Sequence, residues 1–371
     1  MHTQRSAAQR GAMMATIPSS GTPAEDAHGD MARILHTLPL ETRCPPFHLR
    51  QYNGFWLPEA VLKELEAIHT SIRPRPSDVF LASFPKSGAT WLKALAFATA
   101  NRAKHPPSAT NHNHPLRRMN PHQCVGFMEM DLELRRDARS LLEEFEALGS
   151  PRVLATHLPY CLLPKSIITD DESSGSRIVY ICRNPKDVFI SDWFFVRKVS
   201  PAYGADAASF TLEEALDLFC EGRLYGGPQW DHVLQYREES LRRPKRVLFL
   251  EYDKMLREPA SAVKKLAEFV GCGFSEEEEE GGVVDAIVKL CSLRELKNME
   301  VNKNGGNVAG VKNDAFFRNG AVGDWSNHTT PTMANKVDKI VEDALQRLWV
   351  CLRLTDPSIV VSKTVGQVRQ F

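Results

Sequence analysis

The sequence predicts an α/β fold, a single domain with a central parallel β-sheet flanked by helices, and three observations carry that prediction. Four short apolar runs, residues 78–84, 152–156, 177–182 and 246–251, read as strands buried on both faces. Helical apolar spacings separate most of them, as a βαβ chain requires. The first run passes directly into a Pro-Lys-Ser-Gly turn and a helical stretch, the order of a P-loop-like anion-binding loop.

The elements follow in chain order. Residues 1–45 are dominated near the start by Ser, Gly, Pro and Ala, and are expected to form a disordered tail ahead of a folded domain at 46–371. Order is expected from about Gln51, with Pro58 opening a helix whose Val61, Leu62, Leu65 and Ile68 share one face. After the first strand comes a helical run over 92–100. Residues 101–123 and the acidic run 276–280 lack a periodic apolar face and read as solvated surface. The last helix is marked by Met333, Val337, Ile340, Val341, Leu345 and Leu348 on one side. No linker divides the strands into two sets.

Composition narrows the function. With 43% hydrophobic and 25% charged residues, a packed core is expected. The 46 basic side chains balance 46 acidic ones, so no broad field favours nucleic acid or an anionic membrane as partner, and any anion site must be local. The 8 cysteines show no CxxC pair, which fits free thiols in a reducing compartment. No apolar stretch reaches the ~20 residues that span a bilayer. A cytoplasmic protein is expected.

The chemistry concentrates in a few motifs. In Pro85-Lys86-Ser87-Gly88-Ala89-Thr90-Trp91, backbone N–H groups near Gly88 face an anion, Lys86 adds charge, and Ser87 and Thr90 add hydroxyls. A plain strand-to-helix turn needs no such collection. The GxxxxGK[ST] spacing of a Walker A loop is absent, and no following aspartate reads as a magnesium holder, which disfavours a nucleotide kinase. A second strand ends at Arg183, in Cys182-Arg183-Asn184-Pro185-Lys186-Asp187, with Ser191 two helical turns on; a guanidinium there can fork onto a phosphate or pair with an acid. A third strand ends at Tyr252, a possible base-flanking ring or a core residue, and Arg318-Asn319-Gly320 lies in a late Gly-containing loop. His157 follows the remaining strand and has the side chain suited to taking a proton near neutral pH. His105, His112, His114 and His122 suggest a metal, but no ligand spacing supports one; solvated loop residues are expected, and no metal.

Taken in order, PKSGATW, YICRNPKD with Ser191, and FFRNGAVGDW resemble the three signature regions of cytosolic sulfotransferases, especially the plant branch. Cys291-Ser292-Leu293, Glu300-Val301-Asn302-Lys303 and Pro121-His122-Gln123-Cys124 with Phe127 agree with it. The resemblance implies 3′-phosphoadenosine-5′-phosphosulfate (PAPS) as donor, a small-molecule hydroxyl acceptor and no required metal. It implies that Lys86, Ser87, Gly88, Ala89 and Thr90 hold the phosphosulfate, with Trp91 against the adenine. It gives the 3′-phosphate to Arg183, Ser191, Arg318, Asn319 and Gly320, a base contact to Tyr252, and the role of general base to His157. Phe127 and Tyr160 are expected either beside His157 as the acceptor's apolar wall or as core aromatics.

Two positions depart from the usual family pattern: Ala89 stands in place of a Thr and Asn319 in place of a Lys. Each loss is expected to weaken donor binding by about 0.5–3 kcal/mol. The stretch after Trp325 lacks the pattern through which many animal relatives dimerise, so a monomer or weak homodimer is expected. A catalytically weak relative that only binds PAPS or its product, 3′,5′-bisphosphoadenosine (PAP), is the main rival reading.

Overall fold

In a computed structural model of the chain, residues 31–108, 110–129, 138–168, 175–307 and 310–355 are described. Structure is already present inside the stretch expected to be a tail. Met31–Ile34 forms a helical turn, with Met31 and Leu35 buried, and a small antiparallel sheet follows, made of β1 (Leu40–Glu41), β2 (Leu49–Tyr52) and β3 (Phe55–Pro58). Strands of two to four residues carry too little alternation to be read from sequence. Pro58 closes β3, and the helix begins one residue later, at Glu59–Ser71, burying Val61, Leu62, Leu65 and Ile68 as their spacing predicts.

The central sheet contains the four expected strands, each within a residue or two of its predicted span. These are β4 (Val79–Ser83), β5 (Val153–Thr156), β6 (Arg177–Cys182) and β7 (Val247–Glu251), all parallel in the order β5-β4-β6-β7. Alternate residues supply the two faces. Val79, Leu81, Val179 and Ile181 pack on one side with Leu92 and Leu95 of the helix Ala89–Ala100. Phe80, Ala82, Ile178 and Tyr180 pack on the other with the helix Glu59–Ser71. Each of the Val, Leu, Ile and Phe side chains among them contributes roughly 1.5–3 kcal/mol by leaving water. At the amino edge Arg152 grips Asp78 with Nη2 to Oδ2 at 2.6 Å and Nε to Oδ1 at 3.1 Å, both residues buried.

The chain leaves β4 toward β5 on one side, and leaves β6 toward β7 on the other. The carboxyl ends of β4 and β6 therefore flank the point where the strand order reverses, which in open α/β sheets is where ligands bind. The last helix, Pro331–Thr355, docks Val337 with Met333 and Val341 against Leu216 and Phe219.

Of the two segments expected to be solvated surface, residues 101–123 are partly built into the fold, whereas 276–280 stays at the surface, as a short helix. His114 and Leu116 are fully buried, and Asn120 and Gln123 form a capping box on the turn Pro121–Cys124. Residues 276–280 form the helix Glu276–Glu280, started by a Ser275–Glu278 capping box and pinned where Arg102 meets Glu278 at 2.6 Å. Capping and ion pairing set both, and neither leaves an apolar period in the sequence.

Candidate active site

Every strand of the central sheet is followed at once by a candidate site residue. Ser83 leads through Phe84 into the Lys86 loop, Thr156 into His157, Cys182 into Arg183, and Glu251 into Tyr252. Together they line one cavity of about 830 Å³, with Gly88, Ala89, Thr90, Trp91, Phe127, Ser191, Arg318, Asn319 and Gly320 also on its wall. Two predicted residues are not on that wall. Ser87 is fully buried under the loop, and Tyr160 packs edge-on against Tyr236 in the opposite core while bonding to Arg243. Tyr160 is a core aromatic, drawn away from the cavity by the turn Tyr160–Leu162.

The loop conformation explains its glycine. Gly88 caps the helix Ala89–Ala100 at φ +114°, and an added Cβ would lie 2.8 Å from Tyr252 Cδ2 and 3.1 Å from Ile181 Cδ1. Tyr252 is the hub of this end. Its ring packs against Trp91 at 5.4 Å, carries the Arg183 guanidinium at 4.6 Å, and its hydroxyl donates to the Gly320 carbonyl at 2.8 Å. One side chain thus spaces all three signature segments.

Anion-seeking groups converge here. Lys86, at φ +65°, holds Nζ 3.5 Å over the Phe195 ring. Burial lowers its ammonium pKa, and the charges of Arg183 and Arg318 add to that, while Asp192 opposes it. On the cavity wall, Arg183 Nε and Arg318 Nε are buried with no hydrogen-bond partner among the described residues. Such orphaned donors beside a helix N-terminus fit phosphate and sulfate oxygens. Arg318 and Asn319 also brace each other through Asp324, at 2.5 and 2.7 Å. Asp187 is fully buried and accepts from the N–H groups of Gly323 and Trp325 at 2.8 and 3.1 Å, which ties the third signature segment to the second.

His157 is held from three sides. Its Nδ1 lies 2.8 Å from the Ser83 carbonyl oxygen, which can only accept, so Nδ1 carries the proton and Nε2 keeps its lone pair. Its backbone N–H donates to the buried Glu129, and its carbonyl accepts from His232 at 3.1 Å. Burial pushes the imidazole pKa down to about 3, against the Ser83 bond, so the ring stays neutral. Phe127 packs beside it, the rings tilted by 39° with centroids 4.5 Å apart, brought there by a bridge to Ala155 of β5.

Sequence reading missed several neighbours. His122, expected in solvent, packs on Phe127 and Phe316 and bonds Thr90 Oγ1 at 2.9 Å; its other nitrogen faces Lys93 Nζ at 3.1 Å. Lys93, fully buried, lies 3.1 Å from the Phe127 ring centroid. Of the four loop histidines, only His112 is exposed. Cys44, Pro45, Pro46, Phe47, Tyr203 and Tyr225 also line the wall, two of them from within the expected tail. Only spatial assembly reveals them. Among the described residues no group of three or more His, Cys, Asp or Glu could hold a metal.

A parallel sheet with an anion-cradling loop and a neutral imidazole at its carboxyl edge defines a nucleotide-dependent transferase with a P-loop-like fold. The chain belongs to the sulfotransferase family, since residues 76–348 match the sulfotransferase domain. It is 41% identical over 313 residues to cytosolic sulfotransferase 8 of Arabidopsis thaliana, covering 84% of this chain and 90% of that one. Cytosolic sulfotransferase 5 of the same plant is 41% identical over 323 residues, covering 87% and 96%. Among solved structures, an Arabidopsis thaliana putative steroid sulphotransferase superposes with TM-score 0.65 at 33% identity, covering 90% of this chain and 98% of that one. A mouse sulfotransferase complexed with PAP superposes with TM-score 0.59 at 26% identity, covering 80% and 94%. The protein is therefore a sulfotransferase, similar over most of its length to plant enzymes named cytosolic sulfotransferases, and no described helix is long and apolar enough to cross a membrane.

Proposed function

We propose that the protein transfers the sulfuryl group of PAPS to a hydroxyl of a small organic acceptor, with His157 as general base. The observation that carries this is the lone pair of a neutral, fixed His157 facing the same cavity as the Lys86 loop. His157 Nε2 takes the acceptor's proton as the acceptor oxygen bonds to sulfur. The bond from sulfur to the bridging oxygen breaks, its electrons stay on that oxygen, and PAP leaves. Lys86 and the N–H groups at the start of the helix Ala89–Ala100 steady the charge on the departing phosphate. Arg183, Ser191 and the 318–320 segment hold the 3′-phosphate, and Trp91 and Tyr252 frame the base.

Phe127 lines the acceptor side with Phe47, Tyr203 and Tyr225. The mostly apolar wall supports an aromatic or hydrophobic alcohol of the phenolic, steroid or hormone-like kind. The relatives' names support a cytosolic setting. Asn319 is engaged with Asp324, so its loss of charge relative to a lysine is borne by Arg183 and Arg318.

Calorimetric titration with PAP, in chelator, tests the donor site. Binding by the wild type and a loss of roughly 10-fold or more in Arg183→Met is expected from removing a charged hydrogen bond. Equal affinity in the variant would remove Arg183 from the site.

A further inference from the structure

We propose that Asp192 selects the acceptor, and that the cavity takes a hydroxylated small molecule bearing a positively charged amino group, whose ammonium docks on the Asp192 carboxylate. The inference deepens the transferase reading and rests on it. Asp192 follows Ser191 on the helix Pro185–Val199 and lines the cavity. Among the described residues its carboxylate has no hydrogen-bond or ion-pair partner within bonding distance. Its charge acts on both Lys86 and Cys44, and all three line the same cavity.

Three other cations on the wall are already engaged. Lys198 pairs with Asp314 at 2.9 Å, Lys297 donates to the Arg318 carbonyl, and Arg197 donates to the Phe210 carbonyl at 3.3 Å. Asp192 is different. A carboxylate next to an anionic donor costs donor affinity through like-charge repulsion, so its presence needs a cation to offset it. Lys86 serves while the loop is free, but turning Nζ to the phosphosulfate leaves Asp192 facing the acceptor. The surrounding rings suit an ammonium as well as an apolar body: Phe195 already holds the Lys86 ammonium over its face, and Phe47, Tyr203 and Tyr225 line the same space. A charged hydrogen bond inside an aromatic cage then fixes the acceptor's register, with its hydroxyl left for His157.

The test compares tyramine, a phenol with an aminoethyl chain, with the same phenol carrying a propyl chain. Sulfuryl transfer from PAPS is measured for the wild type, Asp192→Asn and Asp192→Glu, with PAP affinity measured in parallel. The wild type is expected to favour the ammonium compound in kcat/KM by roughly 10-fold or more. Asp192→Asn brings that ratio to unity or below, and Asp192→Glu keeps part of it. PAP affinity stays equal or tightens in Asp192→Asn, because an acid beside the anion has gone. A wild type without preference, a preference unchanged in Asp192→Asn, or no turnover of either phenol by a protein that binds PAP overturns the proposal. Failure to bind PAP overturns the donor-site reading beneath it.

Discussion

At the scale of single residues, the site depends on a few positions where geometry leaves no latitude. Gly88 is the sharpest, because its left-handed backbone and the Tyr252 ring both exclude a Cβ. Gly88→Ala is expected to cost about 1–3 kcal/mol in backbone strain, with the loop shifting to relieve it. Calorimetry should then show PAP binding weakened roughly 10-fold or more, by the same free-energy scale. Unchanged affinity would mean that the loop's conformation does not matter to the anion. That Lys86, Gly88, Arg183, Ser191 and His157 gather on one cavity wall was foreshadowed in the sequence, because loops and strand ends leave local signatures; their roles are the proposal. Tyr160 was misread for the same reason that Lys93 and Glu129 were overlooked. A residue's distance from a motif along the chain does not say which face of the fold its side chain joins.

At the scale of elements, the three signature segments work only because other contacts hold them in register. The Asp187 carboxylate takes two backbone N–H groups from the 323–325 turn, and Tyr252 bonds Gly320. In Asp187→Asn the amide keeps a single accepting oxygen and sets an NH2 group against a donor. Faster amide hydrogen exchange at Gly323 and Trp325 is expected, with strand β6 unchanged and PAP affinity down by roughly 10-fold. Exchange at wild-type rates would remove Asp187 from this role. The strands β4 to β7 were readable as apolar runs, and the helix Glu59–Ser71 by its period. The β1–β3 sheet and the capped turn at Pro121–Cys124 were not, since short strands and capping boxes carry no period long enough to register.

At the scale of the whole molecule, the order β5-β4-β6-β7 delivers four strand ends to one edge and sets the loops of β4 and β6 side by side. The class of fold followed from strands alternating with helices, but this order is a property of long-range pairing that no local stretch encodes. The cavity wall is similarly non-local, drawn from segments as far apart as Cys44, Phe127, Tyr225 and Phe316. The central claim is that this assembly places a neutral His157 as base beside a donor held by the Lys86 loop. The most direct measurement is single-turnover sulfuryl transfer from PAPS to a phenol by the wild type and His157→Ala, with PAP affinity determined for both. The account predicts a rate lowered by about 10²- to 10⁴-fold in His157→Ala, the scale of a lost general base, with PAP affinity retained. Transfer by His157→Ala at the wild-type rate would contradict it.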